Sequence, residues 1–148
     1  MGCNALFAAV PPAIRPDAKI ETRIEKILGR LTLEEKIGQM CQLTVSMVTD
    51  MNDSGHPWDT NNVMNGGFIS DELLDTVIGH YKVGSILNVP FDEAQSREAW
   101  TQIIGRIQRR SLDCLGIPCI YGVDQMHGAS YTRGATFFPQ GINMGAAL

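Results

Sequence analysis

A short, continuously apolar run that ends on a carboxylate constrains this chain more than any other feature. Residues 117–123 read Ile-Pro-Cys-Ile-Tyr-Gly-Val, they follow Gly116, and Asp124 comes directly after them. Apolar character without alternation is typical of a strand that is buried on both faces, as in a parallel sheet. Asp124 would then lie at the carboxyl end of that strand, the edge at which α/β proteins bind ligands. The run therefore predicts a parallel sheet and the position of a site.

Helices and strands alternate along the rest of the chain. Residues 41–48 and 83–89 have the apolar, β-branched composition of two further strands, and residues 91–96 are a predicted turn into a long helix. Three other helices are predicted to start at capping side chains, which are Asp17, Thr32 and Ser70. Alternation of this kind indicates βαβ units, so we predict an α/β fold with a parallel sheet.

The long helix has two faces of different character. Its predicted inner face consists of Trp100, Ile103, Ile104 and Ile107. Its outer face is basic near the carboxyl end, through Arg106, Arg109 and Arg110. Such a cluster is more often a solvated helix end that matches the helix dipole than an anion site.

The remaining composition limits the class of protein. The 148 residues carry a formal net charge of -4 and suffice for one domain. No Lys/Arg-rich run predicts nucleic-acid binding, and no run of about 18 apolar residues predicts a membrane span. We expect residues 1–16 to be an extended or disordered leader and residues 17–148 to form the domain. The leader lacks the basic region of an intact signal peptide, and a start at which Cys3 once carried a lipid also remains open.

The usual cofactor and metal patterns are missing from the sequence. There is no GxGxxG, no Walker loop and no GxSxG elbow, and neither the cysteine nor the histidine spacings form a metal pattern. We therefore expect no cofactor and no metal site.

Asp124 and His127 are the remaining candidates for chemistry. A carboxylate can accept hydrogen bonds from neighbouring sugar hydroxyls or act as a nucleophile or base, and equally often it braces a loop. His127 is more often a loop-bracing donor than a catalyst. The polar segment 49–67 is a predicted long loop, in which Trp58 could stack on a sugar but would more commonly fold onto its own domain.

Three stretches in order carry a resemblance to a known family. Residues 31–40 (LTLEEKIGQM), 81–88 (YKVGSILN) and 116–140 resemble the N-terminal part of glycoside hydrolase family 3, and the likeness is to its exo-acting β-glucosidases, including bacterial ones. Gln125-Met126-His127-Gly128 resembles the glucosidase and xylosidase branch rather than the aminoglycoside-cleaving one. The match extends from about Ile20 to the last residue.

The resemblance implies a fold and an activity. The fold would be the N-terminal portion of a (β/α)8 (TIM-type) barrel, and the reaction would be retaining removal of terminal β-D-glucosyl residues from a gluco-oligosaccharide. Asp124 stands where the family has the Asp that hydrogen-bonds the terminal sugar. A β-xylosidase and a noncatalytic sugar-binding or assembly fragment are the alternatives. The family also implies a periplasmic or secreted location.

The resemblance also implies what these residues lack. Retaining hydrolysis needs two carboxyl groups roughly 5 Å apart, and the family's nucleophile and acid/base lie downstream of the matched motifs. A barrel typically needs about 250 residues. We therefore expect the chain to be an incomplete barrel that is inactive in isolation and self-associates through unpaired strand edges.

Overall fold

Three short strands form one parallel sheet in sequence order, with β2 in the middle. The strands are β1 (Gln42–Thr44), β2 (Ser85–Leu87) and β3 (Ile120–Gly122). Their register places Thr44 opposite Leu87 and Leu87 opposite Gly122, so the three carboxyl ends meet at one edge. The predicted parallel α/β architecture is confirmed.

The computed structural model describes residues 17–49, 69–90 and 93–147. The chain divides into two compact units, residues 1–33 and 34–148. The predicted leader and most of the predicted loop, with Trp58, lie outside the described residues. No helix in the described ranges is both long enough and apolar enough to cross a bilayer.

The described ranges contain five α-helices. They are α1 (Ala18–Arg30), α2 (Leu33–Gln39), α3 (Asp71–Leu74), α4 (Arg97–Leu115) and α5 (Gly141–Ala146). α3 widens into a π-helical stretch, Asp75–His80, and a 3₁₀ turn, Val45–Val48, follows β1. The order of elements agrees with the sequence prediction.

Side-chain caps start the helices where the sequence indicated. The Asp17 carboxylate accepts hydrogen bonds from the amides of Lys19 and Ile20, and the Ser70 hydroxyl accepts one from Leu73. α4 ends at Gly116, which adopts a left-handed φ of 69° that glycine tolerates without strain. These are local signals, which is why sequence alone located them.

The predicted strand boundaries were too wide. β1 stops at Thr44, because residues 45–48 turn into the 3₁₀ helix that buries Val45 and Val48. β3 begins only at Ile120, since the preceding backbone is held by α4: the Gln108 side chain bonds both the N–H and the C=O of Cys119. A strand extends only where its neighbour offers a matching ladder.

The core lies between the sheet and the helices on one of its faces. Ile103 and Ile107 of α4 are fully buried and pack with Ile86 of β2, as the predicted inner face of the helix requires. Trp100 and Tyr121 pack against this cluster. The inner-face prediction is confirmed for these residues, and Ile104 is half-buried.

The opposite face of the sheet is open. Ile120 is 69% exposed, whereas its neighbour Tyr121 packs on the core, so β3 is buried on one face only. The expectation of a strand buried on both faces was therefore wrong for these residues. The apolar run predicts that both faces of β3 are buried, but no described residue covers the face on which Ile120 lies.

The arginine cluster of α4 joins two helices. Arg106 contacts Asp71 at 2.6 Å and Arg110 contacts Asp75 at 2.6 Å, so the basic face is paired with the acidic start of α3 and the π stretch. The last turn of α4 holds no basic residue. The prediction of a solvated helix end was therefore wrong for Arg106 and Arg110, whose cross-helix ion pairs are of modest energy because the carboxylates are exposed. Arg109 is exposed, as that prediction expects.

Candidate functional site

The candidate site is the sheet edge at which the three strands end. Asp124 follows β3 by two residues, and it is exposed. Among the described residues no hydrogen bond or ion pair involves its carboxylate. The loop-bracing role that the sequence left open therefore has no support, and the carboxylate remains available to a ligand.

The open face of the sheet leads to this carboxylate. Ser85 of β2 accepts a hydrogen bond from the Gln42 side-chain amide, and Gly122 lies where a Cβ would be 3.1 Å from a Leu87 methyl group. Asp124 is two residues after Gly122, just beyond the end of β3. A ligand at the carboxyl edge of the sheet would therefore be near the exposed Asp124.

His127 braces the segment that follows Asp124. Its Nδ1 lies 3.2 Å from the carbonyl oxygen of Phe138, and its ring meets Phe137 edge-on at 4.5 Å. Because a carbonyl can only accept, Nδ1 carries the proton. The backbone of His127 also accepts a hydrogen bond from the Phe138 amide. This is the bracing role that the sequence favoured over catalysis.

Asn88 connects the end of β2 to β3. Its backbone N–H donates to the backbone carbonyl of Gly122 at 2.9 Å, and its own backbone carbonyl accepts a hydrogen bond from the hydroxyl of Tyr121 at 2.7 Å. Burial raises the pKa of Tyr121, so the phenol stays protonated as the donor. Asn88 has a φ of 73°, which Asn accepts more readily than most residues. The two strand ends are thereby fixed relative to each other just before Asp124.

Cys119 is not a nucleophile of this site. It is buried in the core, and desolvation raises the pKa of its thiol to about 11, opposed only in part by the backbone of Ile86. The thiol is therefore protonated at neutral pH, and the thiolate is the reactive form.

No metal centre is evident in the described parts of the chain. Residues 17–49, 69–90 and 93–147 contain no group of three His, Cys, Asp or Glu side chains that could hold an ion. An apolar cavity of about 530 Å³ lies instead at the opposite edge, where Cys41 and Val83 precede β1 and β2. That cavity is on the amino side of the strands, away from Asp124.

Sequence reasoning missed the residues that hold the Asp124 loop from outside. Gln95 and Trp100, which lie between β2 and β3 in sequence, both donate to the carbonyl of Tyr131. The helical spacing assigns Trp100 only to the inner face of α4, and Gln95 carries no pattern that would single it out. Only the tertiary structure brings them to residues more than thirty positions away.

A parallel α/β sheet with an unpaired carboxylate at its carboxyl edge is the arrangement of barrel-type enzyme domains. The family model described as glycosyl hydrolase family 3 N terminal domain matches residues 32–148. The chain therefore belongs to glycosyl hydrolase family 3, and the resemblance noted in the sequence is confirmed. Its fold is accordingly part of a TIM-type α/β barrel, of which the described residues supply three strands.

Two relatives illustrate the match. A lysosomal beta glucosidase of Dictyostelium discoideum is 28% identical over an alignment of 137 positions, which covers 86% of this chain and 15% of that protein. The exo-1,3/1,4-beta-glucanase ExoP of a Pseudoalteromonas species is 26% identical in two crystal structures, with TM-scores of 0.64 (its Q683A mutant) and 0.65. The alignments cover 90% of this chain and 19% and 15% of those chains. This chain thus spans less than a fifth of the length of these relatives.

Proposed function

We propose that this chain supplies a sugar-binding subsite of a retaining β-glucosidase, in which Asp124 grips the terminal nonreducing β-D-glucosyl residue. The observation that carries the proposal is the exposed Asp124 carboxylate, which has no partner among the described residues and stands at the carboxyl edge of the sheet. Membership of glycosyl hydrolase family 3 supports the reaction class.

A free carboxylate suits this role for a chemical reason. Its two oxygens can accept hydrogen bonds from two neighbouring hydroxyls of one sugar ring, and such charge-assisted bonds are stronger than neutral ones. Hydrogen bonds that strengthen as the sugar acquires oxocarbenium character also lower the reaction barrier. Asp124 would therefore contribute to catalysis without forming a covalent bond.

The two carboxyl groups that cleave the bond are not assigned to this chain. The resemblance places the family's nucleophile and acid/base beyond the motifs found here, and retaining chemistry requires both. We therefore expect the 148-residue chain on its own to bind sugar without hydrolysing β-glucosides.

Asp124→Asn is expected to weaken cellobiose binding by about 10- to 100-fold, because the amide removes the charge and one acceptor at nearly constant shape. Binding is measured by NMR titration of the protein as its gene encodes it, and the sulfur-linked analogue of cellobiose serves as the probe here and below because it is not hydrolysed. The fold should persist, since no described residue pairs with the carboxylate.

Asp113→Asn is the matched control, because Asp113 is an exposed carboxylate near the end of α4, before β3 begins, whereas Asp124 follows the end of β3. Its affinity for cellobiose should equal that of the unmodified protein. Equal affinity in Asp124→Asn as well would refute the proposed role of Asp124.

The names of the relatives favour a glucosyl over a xylosyl substrate. One is called a β-glucosidase and the other an exo-1,3/1,4-β-glucanase. We expect the gene product to turn over an aryl β-glucoside faster than the matching aryl β-xyloside. The ratio of the two kcat/KM values tests this, and a preference for the xyloside would point to the xylosidase alternative.

A further inference from the structure

The segment between β2 and α4 grips the loop that follows Asp124. The backbone carbonyl of Tyr131 accepts a hydrogen bond from the backbone N–H of Gln95 at 2.9 Å and another from the indole Nε1 of Trp100 at 3.0 Å. Arg133 adds two more, since its amide donates to the carbonyl of Gln95 and its Nε donates to that of Ala94, both at 2.8 Å. Four hydrogen bonds thus tie the loop to residues 94–100, three at Ala94 and Gln95 and one at Trp100 in the first turn of α4.

Trp100 also contacts the chain on the other side of Asp124. Its ring meets the ring of Tyr121 edge-on, with centroids 5.6 Å apart and planes at 84°. Tyr121 lies three residues before Asp124 and Tyr131 lies seven residues after it. One side chain therefore touches both ends of the segment that carries the carboxylate.

The residues that support this contact are packed and hydrogen-bonded. Trp100 lies in the first turn of α4, whose start is capped by the Ser96 hydroxyl. Gln95 is only 1% exposed, and its side-chain amide donates to the carbonyl of Glu93 at 2.8 Å. Groups that are packed and hydrogen-bonded in this way hold a neighbouring side chain in place before a ligand arrives.

We propose that Trp100 is a positioning residue that fixes the Asp124 carboxylate for sugar binding, an inference that rests on the proposed function. Trp100 does not touch the sugar. It reduces the freedom of residues 121–131, so that less conformational entropy is lost when the hydroxyls bind Asp124. Its effect on affinity must therefore pass through Asp124.

Trp100→Phe tests this, because it removes the indole donor and retains an aromatic ring beside Tyr121. We expect cellobiose affinity to fall by about 3- to 10-fold, as for the loss of one hydrogen bond. In the Asp124→Asn background the same substitution should change affinity little, because the group that it positions is already gone. NMR titration measures the affinity of Trp100→Phe against that of the unmodified protein, and the affinity of the double variant against that of Asp124→Asn.

Two further variants guard against an effect of general destabilisation. Arg133→Gln removes the hydrogen bond from an exposed side chain to the Ala94 carbonyl and the ion pair with Glu93, and it should lower cellobiose affinity by a smaller factor than Trp100→Phe does. Gln102→Ala, an exposed position on α4, is the control and should leave affinity unchanged. Thermal unfolding of each variant shows whether the fold is retained.

Backbone amide relaxation provides a readout that does not depend on the sugar. In Trp100→Phe we expect the amplitude of backbone motion to increase at residues 123–127. We expect it to stay unchanged in β2 and in the middle of α4. Unchanged motion at residues 123–127, or an equal loss of affinity with Asp124 and with Asn at that position, would overturn the proposal. If Asp124→Asn alone binds normally, the proposed function fails, and the positioning role fails with it.

Discussion

Gly38→Ala is expected to lower the free energy of unfolding by about 3 kcal/mol or more, because the added Cβ has no room. A Cβ at this position would stand 2.1 Å from the carbonyl oxygen of Tyr81 and 2.9 Å from that of Lys82. Both are backbone atoms, so neither can rotate away as a side chain would. The substitution must push α2 away from the start of β2.

The contact that this substitution breaks is reciprocal. Gly84 lies where its own Cβ would be 2.4 Å from the carbonyl of Gln39, and its amide donates to the carbonyl of Gly38 at 3.0 Å. Two glycines thus permit helix and strand to approach to hydrogen-bonding distance. The effect of either substitution is measured by urea denaturation followed by circular dichroism.

Gly105→Ala is the matched control for this prediction. Gly105 lies inside α4, and the only described atom near its added Cβ is the flexible end of Arg109 at 3.4 Å. Alanine has the higher helix propensity, so this variant should gain up to about 1 kcal/mol. A Gly38→Ala protein as stable as the original would mean that α2 and β2 do not approach this closely.

Ile103→Ala is expected to cost about 2–5 kcal/mol, the usual range for removing a fully buried aliphatic side chain and leaving a cavity. Ile103 is 0% exposed and belongs to the cluster that joins α4 to Ile86 of the central strand. The total stability of a small domain is only about 5–15 kcal/mol, so this loss is a large fraction of it.

Leu112→Ala is the matched control on the same helix, because it shortens an aliphatic side chain that is exposed instead of buried. Leu112 is 48% exposed, and the substitution removes as many carbon atoms as Ile103→Ala does. It should therefore cost less than about 1 kcal/mol, as surface changes usually do. Equal losses for the two variants, measured by the same denaturation curves, would contradict the assignment of the core to the inner face of α4.

The sequence located the elements whose signals are local. Asp17 and Ser70 predict helix starts, because an N-cap needs only its own side chain and the backbone amides of the next few residues. The alternation of strands and helices was enough to predict the parallel sheet. Strand lengths were overestimated because the length of a strand depends on the partner: β1 gives way to a 3₁₀ turn, and Gln108 holds the residues before β3.

In the candidate site, too, the sequence predicted some features and the structure decided others. An apolar run followed by Asp124 placed a carboxylate at the end of a parallel strand, which follows from the geometry of βαβ units alone. By itself the sequence could not say whether that carboxylate braces a loop or stays free. The structure decided this, because His127 and Trp100 do the bracing and leave Asp124 unpaired among the described residues.

What the sequence by itself determined is therefore the family, the order of elements and the residue at the strand end, all of which are encoded by neighbouring residues. Only the tertiary structure decided which face of β3 is covered and which side chains hold the Asp124 loop. Those features join Trp100 to Tyr121 and Tyr131, and Gly38 to Tyr81. They depend on chain packing between residues tens of positions apart, which no local pattern records.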